Sequence, residues 1–464
     1  MTTGTFQRLI AVFEEAFAAL RVRVSQKKIE DLATTVHRAM TSHGRHFHTM
    51  EHVFMFVNPR CPIQTLAGLY HDVVYYQVDM GFTPDIWNII RSFIEFRDSE
   101  MYLIEEGDGI GKARLRMVLD VFDFHYGQQL SNVNDLNEFL SALVMNCELG
   151  SLLNEKDLLR LTLCVEATIP FRGKNRRGET HFEELEKRLR QISVWHNFAF
   201  ADEEIEEAIK LAVVFANKDI ENFGEADPGR FIDNTWKLLP EMNVALRARD
   251  AYSIREYRQA LQKMENFLRS LNPSHVFNAY RGVPPEKEYQ RMSRRAHINV
   301  EVACEYLQVK LLGLAILDAL AQVTGGDAPL SLFVGDQPKS GQSNGAKRLE
   351  HFLPDRSVPD WIDTDSELYR LLCLQNNQSE GFDTRYAALS LFVYKSMPPQ
   401  VLKAHRQLAN QMFSNTISAD YFLAQIDCPT LCAIATACAA MVPTRREKLQ
   451  RYTTKLPCSH QRVI

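Results

Sequence analysis

The sequence contains no long uninterrupted apolar run. Its most apolar stretch, residues 430–442, is too short to cross a bilayer, and residues 306–323 are interrupted by Gln308, Lys310 and Asp318. No membrane helix is expected. The opening MTTGTFQRLIAVFEEAF lacks a basic segment followed by an apolar one, so no secretory leader is expected. The nine cysteines (61, 147, 164, 304, 373, 428, 432, 438 and 458) are odd in number and form no CxxC pair. That excludes a disulfide framework and a cysteine-rich zinc module, and it fits reduced thiols in a cytoplasmic protein. An excess of either charge is also missing: 53 Lys and Arg face 58 Asp and Glu, a net charge of −5. A nucleic-acid coat dominated by phosphate contacts is therefore excluded, and any basic site must be local. Gly325-Gly326-Asp327 and Gly335-Asp336 lack the GK[ST] of a phosphate loop and the closing Glu of an EF-hand.

What remains is an ordinary globular composition, 45% hydrophobic and 24% charged over 464 residues, enough for two or three units at about 150 residues each. Helical periodicity dominates and strand-like alternation is scarce. Phe6, Leu9, Ile10, Phe13, Phe17 and Leu20 mark one buried face. Ser25 caps a second helix whose face is Ile29, Leu32, Val36 and Met40. Similar patterns predict helices near 50–57, 64–76, 84–104, 110–124, 134–147, 155–168, 181–192, 202–222, 230–248, 253–271, 366–374, 384–395, 399–413 and 429–442. The expected fold is all-α, with a helical domain over 1–250 and a helical accessory region over 251–464. A Gly-, Pro- and Ser-rich loop is expected near 324–345. Cys428, Cys432 and Cys438 have helical spacing without a completing His, which favours packing over metal binding.

The chemistry concentrates in Arg45-His46-Phe47-His48-Thr49-Met50-Glu51-His52, followed nineteen positions after His52 by His71-Asp72. A helix starting near Thr49 sets His52 one turn beyond His48, so both imidazoles can face one cavity. His71 and Asp72 lie in the apolar run LAGLYHDVVYY, where an unpaired carboxylate is costly, so Asp72 needs a cation. A distant anion follows in LAVVFANKDIENF: Asp219 lies one turn after Phe215 and extends the stripe of Leu211, Val214 and Phe215 inwards. Two imidazoles and two carboxylates suit a divalent ion such as Mn, Mg, Zn or Fe. Each residue also has a purely structural alternative. His48 can cap the helix at Thr49, and Asp219 can cap or pair with a buried Arg, with Asp157 and Asp123 as substitutes.

The order HxxxH, then HD, then a late Asp resembles the HD superfamily of metal-dependent phosphohydrolases. FHTMEHV and LYHDVVY are similar to segments of its small bacterial members, relatives of the cyclic nucleotide phosphodiesterases. The resemblance covers about residues 1–250. It implies a helical domain, His52, His71, Asp72 and Asp219 as metal ligands, and His48 as general acid, with Asp72 able to bridge a second ion. Members with two ions carry further histidines between the HD pair and the late Asp. Here only His125, His181 and His196 lie there, none in a ligand-like context, so one ion or a weakly occupied second is expected and a di-iron oxygenase is disfavoured.

The expected reaction is hydrolysis of a phosphomonoester or phosphodiester, a nucleotide for preference, by a metal-activated water. Arg45, His46, Arg172 and Lys174 are the candidates for substrate contact. The last two belong to IPFRGKNRRG, whose cations fit phosphate if the loop folds over the metal and are otherwise a solvated surface. The alternative function is a catalytically silent HD module that binds a nucleotide or a protein partner. Self-association is expected, if anywhere, through the C-terminal helices.

Overall fold

In the computed structural model, residues 4–105, 109–131, 135–248, 251–335, 347–373 and 387–453 are described. The fold is all-α apart from one small sheet. The chain divides into two compact units, one formed by 1–224 with 271–296, the other by 225–270 with 297–464. The composition and turn signals imply one boundary, at 250. The structure instead sends the chain out of the first unit at 224 and returns it for residues 271–296.

The first unit contains α1 (Thr5–Ala19), α2 (Gln26–Met40), α3 (Met50–Phe54), α4 (Pro62–Tyr70), α5 (Tyr76–Asp79), α6 (Pro84–Ile90), α7 (Gly109–Phe122), α8 (Leu136–Leu149), α9 (Glu155–Ala167), α10 (His181–Trp195) and α11 (Asp202–Asp219). The caps follow from residue type: the side chains of Ser25, Thr83 and Asn154 each accept a hydrogen bond from a backbone N–H of the first turn. At α10, Thr180 and Glu183 complete a reciprocal capping box. Helix α4 is buried on every side from Ile63 to Tyr70 because it packs against α1, α8 and α9. Its C-terminal end therefore delivers whatever follows it, here His71-Asp72, into a desolvated interior.

The expected helix over 84–104 stops at Ile90. Strands β1 (Ile94–Arg97) and β2 (Glu100–Leu103) follow, paired antiparallel with Ile94 opposite Leu103. Asp98 and Ser99 both have positive φ, 49° and 70°, as a two-residue hairpin turn of right-handed twist requires. Buried Ile94, Met101 and Leu103 supply the apolar face, and β3 (Gln129–Leu130) adds a third, antiparallel strand beside β2.

The second unit contains α12 (Pro228–Trp236), α13 (Leu238–Met242), α14 (Ile254–Ser270), α16 (Leu330–Val334), α17 (Glu367–Cys373), α18 (Ala387–Ser396), α19 (Pro399–Phe413), α20 (Ala419–Gln425), α21 (Cys428–Met441) and α22 (Arg446–Gln450). Most of α15 (Glu286–Thr324) also belongs to it. The single helix expected over 230–248 breaks between Trp236 and Leu238, since Pro240 supplies no N–H and its ring opposes the carbonyl four residues back. Within the expected loop, residues 330–334 are helical, and 336–346 lie outside the described residues. Cys432 donates to the Thr453 carbonyl, and the described cysteines are free thiols. Among the described residues, no helix is long and apolar enough to cross a membrane.

Candidate metal centre

Three chain segments meet at one point inside the first unit. The short helix α3 carries His52, the C-terminal end of α4 carries His71 and Asp72, and α11 ends on Asp219. The Nε2 atoms of His52 and His71 are 3.2 Å apart. Asp72 Oδ2 lies 2.9 Å from His71 Nε2 and 3.3 Å from His52 Nε2, while Asp219 Oδ1 lies 3.4 Å and 3.2 Å from the same atoms. All four donors fall within 4.8 Å of one another. Ligands held about 2.1 Å from one ion are separated by about 3.0 Å along an octahedral edge and about 3.4 Å along a tetrahedral one. The five separations that involve an imidazole nitrogen span about the same range.

The protonation pattern points the same way. His71 Nδ1 lies 2.8 Å from the Gly68 carbonyl, which can only accept, so Nδ1 carries the proton and Nε2 of the neutral ring turns its lone pair to the cluster. Asp72 Oδ2 is buried and accepts no hydrogen bond of proper geometry despite its two close nitrogens. Such a set of lone pairs and anions could hold a cation at its centre, and the donor types fit a divalent metal. Without one, protons take that place. Burial opposes imidazolium at both histidines, but Asp72 and Asp219 outweigh it, raising His52 and holding His71 well above its ordinary value. Burial likewise opposes ionisation of Asp72 and Asp219, and the neighbouring imidazoles reverse it, holding both carboxyls low. The histidines form the buried side of the cluster, with 5% and 1% side-chain exposure, and the carboxylates its accessible side, with 22% and 18%.

The inward stripe of α11 differs from the expected one. Val214 is exposed, and the buried positions leading to Asp219 are Ala208, Ala212, Phe215 and Ala216, one face of the helix continued to its last turn. Phe215 and Phe56 wall the His71 ring, with centroids 5.8 Å and 4.6 Å away. Gly68 makes this possible: a Cβ there would lie 2.2 Å from the Phe56 Cβ.

His48 is half-buried at the entrance to α3, its ring 5.7 Å from that of His52 and 4.7 Å from that of Tyr75. It is near the cluster without belonging to it. Arg45, expected to meet substrate, is buried and committed elsewhere. Its guanidinium forms a two-pronged pair with Asp79 at 2.6 and 3.0 Å and donates to the Asp72 carbonyl at 2.6 Å. It thereby ties the segment before His52 to the backbone of a ligand. His46 is partly exposed.

Arg172 is held by Glu166, whose buried carboxylate also accepts from Arg188 at 3.0 Å and lies 2.8 Å from His181 Nε2. Burial pushes Glu166 up, but Arg172, His181 and Arg188 together hold it low. Lys174 is exposed. Of the three intervening histidines, His181 is thus tied to Glu166 and His196 to Asp120, and His125 is exposed.

A residue the sequence did not single out feels the charge of the centre. Glu138, in the first turn of α8, feels the charges of Asp135, Asp72 and Asp219, and burial with this repulsion raises its carboxyl to about 7. Its helix is docked on the chain just after the HD pair: Ser141 Oγ accepts from Val74 N at 3.0 Å and Asn137 Oδ1 from Tyr76 N at 3.0 Å. In sequence, Glu138 reads as an ordinary acid in a helix first turn.

Comparison with known proteins gives no identification: no family model matches the chain, and no curated protein or solved structure is significantly similar to it.

Proposed function

We propose that the first unit is a metal-dependent phosphohydrolase of the kind its HD pattern resembles, acting on a phosphomonoester or phosphodiester, with nucleotides as the expected substrates. The observation that carries this reading is the convergence of His52 Nε2, His71 Nε2, Asp72 Oδ2 and Asp219 Oδ1 within 4.8 Å. A divalent ion bound there supplies Lewis acidity towards a phosphoryl oxygen and acidifies water to near neutrality.

The chain's own residues do the rest. His52, His71, Asp72 and Asp219 hold the ion, and the Gly68 carbonyl keeps the His71 ring in the tautomer that binds. In this reading Glu138, electrostatically coupled to Asp72 and Asp219, takes a proton from the attacking water. His48 donates a proton to the departing oxygen. Arg45 braces the Asp72 backbone rather than meeting substrate, and Lys174, exposed on its loop, remains a candidate to meet phosphate. The same reading expects a cytoplasmic protein with a small phosphate ester as its ligand, self-associating, if at all, through the C-terminal helices.

The test is a panel of nucleotides, cyclic nucleotides and nitrophenyl phosphoesters assayed with Mn, Mg, Zn and Fe in turn. Phosphate or alcohol release that disappears in Asp72→Ala supports the proposal. Nucleotide binding without turnover under every ion would replace it with a silent binding module.

A further inference from the structure

Asp219 is the last residue of α11, in the turn of a helix most prone to fray, because few backbone N–H groups lie beyond it to hold its carbonyls. A carboxylate that must meet three other donors needs that turn fixed. Asn217, two residues earlier and only 6% exposed, is bonded to a single residue far along the chain. Its Nδ2 donates to the Asn278 carbonyl at 2.9 Å, and its Oδ1 accepts from the Asn278 N–H at 2.8 Å. Two bonds in the plane of one amide fix both the position and the rotation of the helix end.

Asn278 is itself held on both sides. His275 lies where a Cβ on Gly173 would approach its ring to 2.7 Å, and Phe277 lies 3.2 Å from the Cβ site of Gly224. Tyr280 donates to Glu186 at 2.7 Å, and Arg281 reaches Glu206 at 2.7 Å. Residues 275–281 thus form a strap across the loop after α9, across α10 and across α11. The loop it covers contains Phe171, held at a φ of 61° with its ring 5.4 Å from that of Phe223, just past Asp219. This strap follows the excursion of residues 225–270 into the second unit, so the chain leaves the first unit just after Asp219 and comes back to secure it.

We propose that Asn217 is a positioning residue of the metal centre, presenting Asp219 through its paired bonds to Asn278. The inference rests on the metal-centre reading above. Asn is needed for a stated reason: a leucine fills the same space but leaves both backbone groups of Asn278 without their partner. Loss of a residue that orients a metal ligand typically costs 10- to 100-fold in metal affinity.

The experiment uses the full chain and Mn²⁺. Calorimetric titration should show the dissociation constant rising about 10- to 100-fold in Asn217→Leu. It should move by no more than about twofold in Tyr280→Phe, which removes one bond from the same strap at a point away from Asp219, because only the Asn217 link acts on a ligand. An affinity in Asn217→Leu within about twofold of wild type overturns the proposal, as does an equal loss in both variants. A second measurement requires no variant. Coupling is reciprocal, so saturating Mn²⁺ should slow hydrogen exchange at the Asn278 amide of the wild-type protein by the same 10- to 100-fold. Calorimetric binding with unchanged exchange there overturns the clasp alone. Failure of the wild-type protein to bind any of the four ions overturns the metal-centre reading and the clasp with it.

Discussion

Replacing Glu138 by Gln should stabilise the ion-free protein at pH 8 and leave it nearly unchanged at pH 4.5. Burial and the charges of Asp135, Asp72 and Asp219 raise this carboxyl from its ordinary 4.5 to about 7. The unfolded chain loses the proton near the ordinary value, whereas the native state keeps it until about pH 7. Stability therefore falls as pH rises through this window, at up to about 1.4 kcal/mol per pH unit, and the cost is constant above it. The full shift corresponds to about 3 kcal/mol, and partial solvent access at Glu138 lowers the expected range to about 1–3 kcal/mol. Gln has nearly the same shape and never ionises, so it removes this cost. The assay is hydrogen exchange of core amides in α8 and α9 of chelator-treated protein, which reports opening of the first unit, at both pH values. A bound divalent ion supplies the missing countercharge, so the advantage of Gln should shrink when ion is added. An equal effect of the substitution at pH 4.5 and pH 8 would refute the reasoning.

Three further outcomes follow from the same geometry. Gly68→Ala forces a Cβ to within 2.2 Å of Phe56, which walls the His71 ring; overpacking of this kind costs about 1–3 kcal/mol, and urea unfolding together with a weaker ion affinity should show it. His48→Ala should keep its ion but lose turnover by about 10²- to 10⁴-fold, less with nitrophenolate than with an alkoxide leaving group; ion release with equal loss on both substrates would make His48 a ligand or a cap instead. Ion binding should release protons and tighten as pH rises through neutrality, because His52 and His71 are held above their ordinary values in the ion-free protein and must lose a proton to coordinate. Titration in buffers of different ionisation enthalpy counts these protons, and a count of zero at pH 7 would contradict the assigned protonation.

The part of the centre legible in the sequence was the part encoded by short spacing. His48 and His52 lie four residues apart around the start of α3, and the HD pair sits in a run too apolar to leave a carboxylate unpaired. Asp219 was found through a stripe that was partly misplaced, since Val214 faces solvent. What stayed hidden depends on contacts between distant segments. Arg45 reads as a free cation beside the histidines until Asp79 is seen to hold it. Arg172 reads as a phosphate ligand until Glu166 is, and nothing in the local sequence of α8 marks Glu138 as coupled to the charges of Asp72 and Asp219. The hairpin over 94–103 escaped because its strands are only four residues each, too short for alternation to stand out from a helical background. The return of 271–296 to the first unit rests on pairings such as Asn217 with Asn278, which no periodicity announces.

The most direct test of the central claim is the ion content of the purified chain, measured by mass spectrometry after equilibration with Mn, Mg, Zn and Fe separately and removal of free ion. With four donors converging in the wild-type protein, about one ion per chain should be retained, and His71→Ala and Asp72→Ala should each lose it while keeping the wild-type helical signal. Wild-type protein that retains none of the four ions, or variants that retain as much as wild type, would contradict the account.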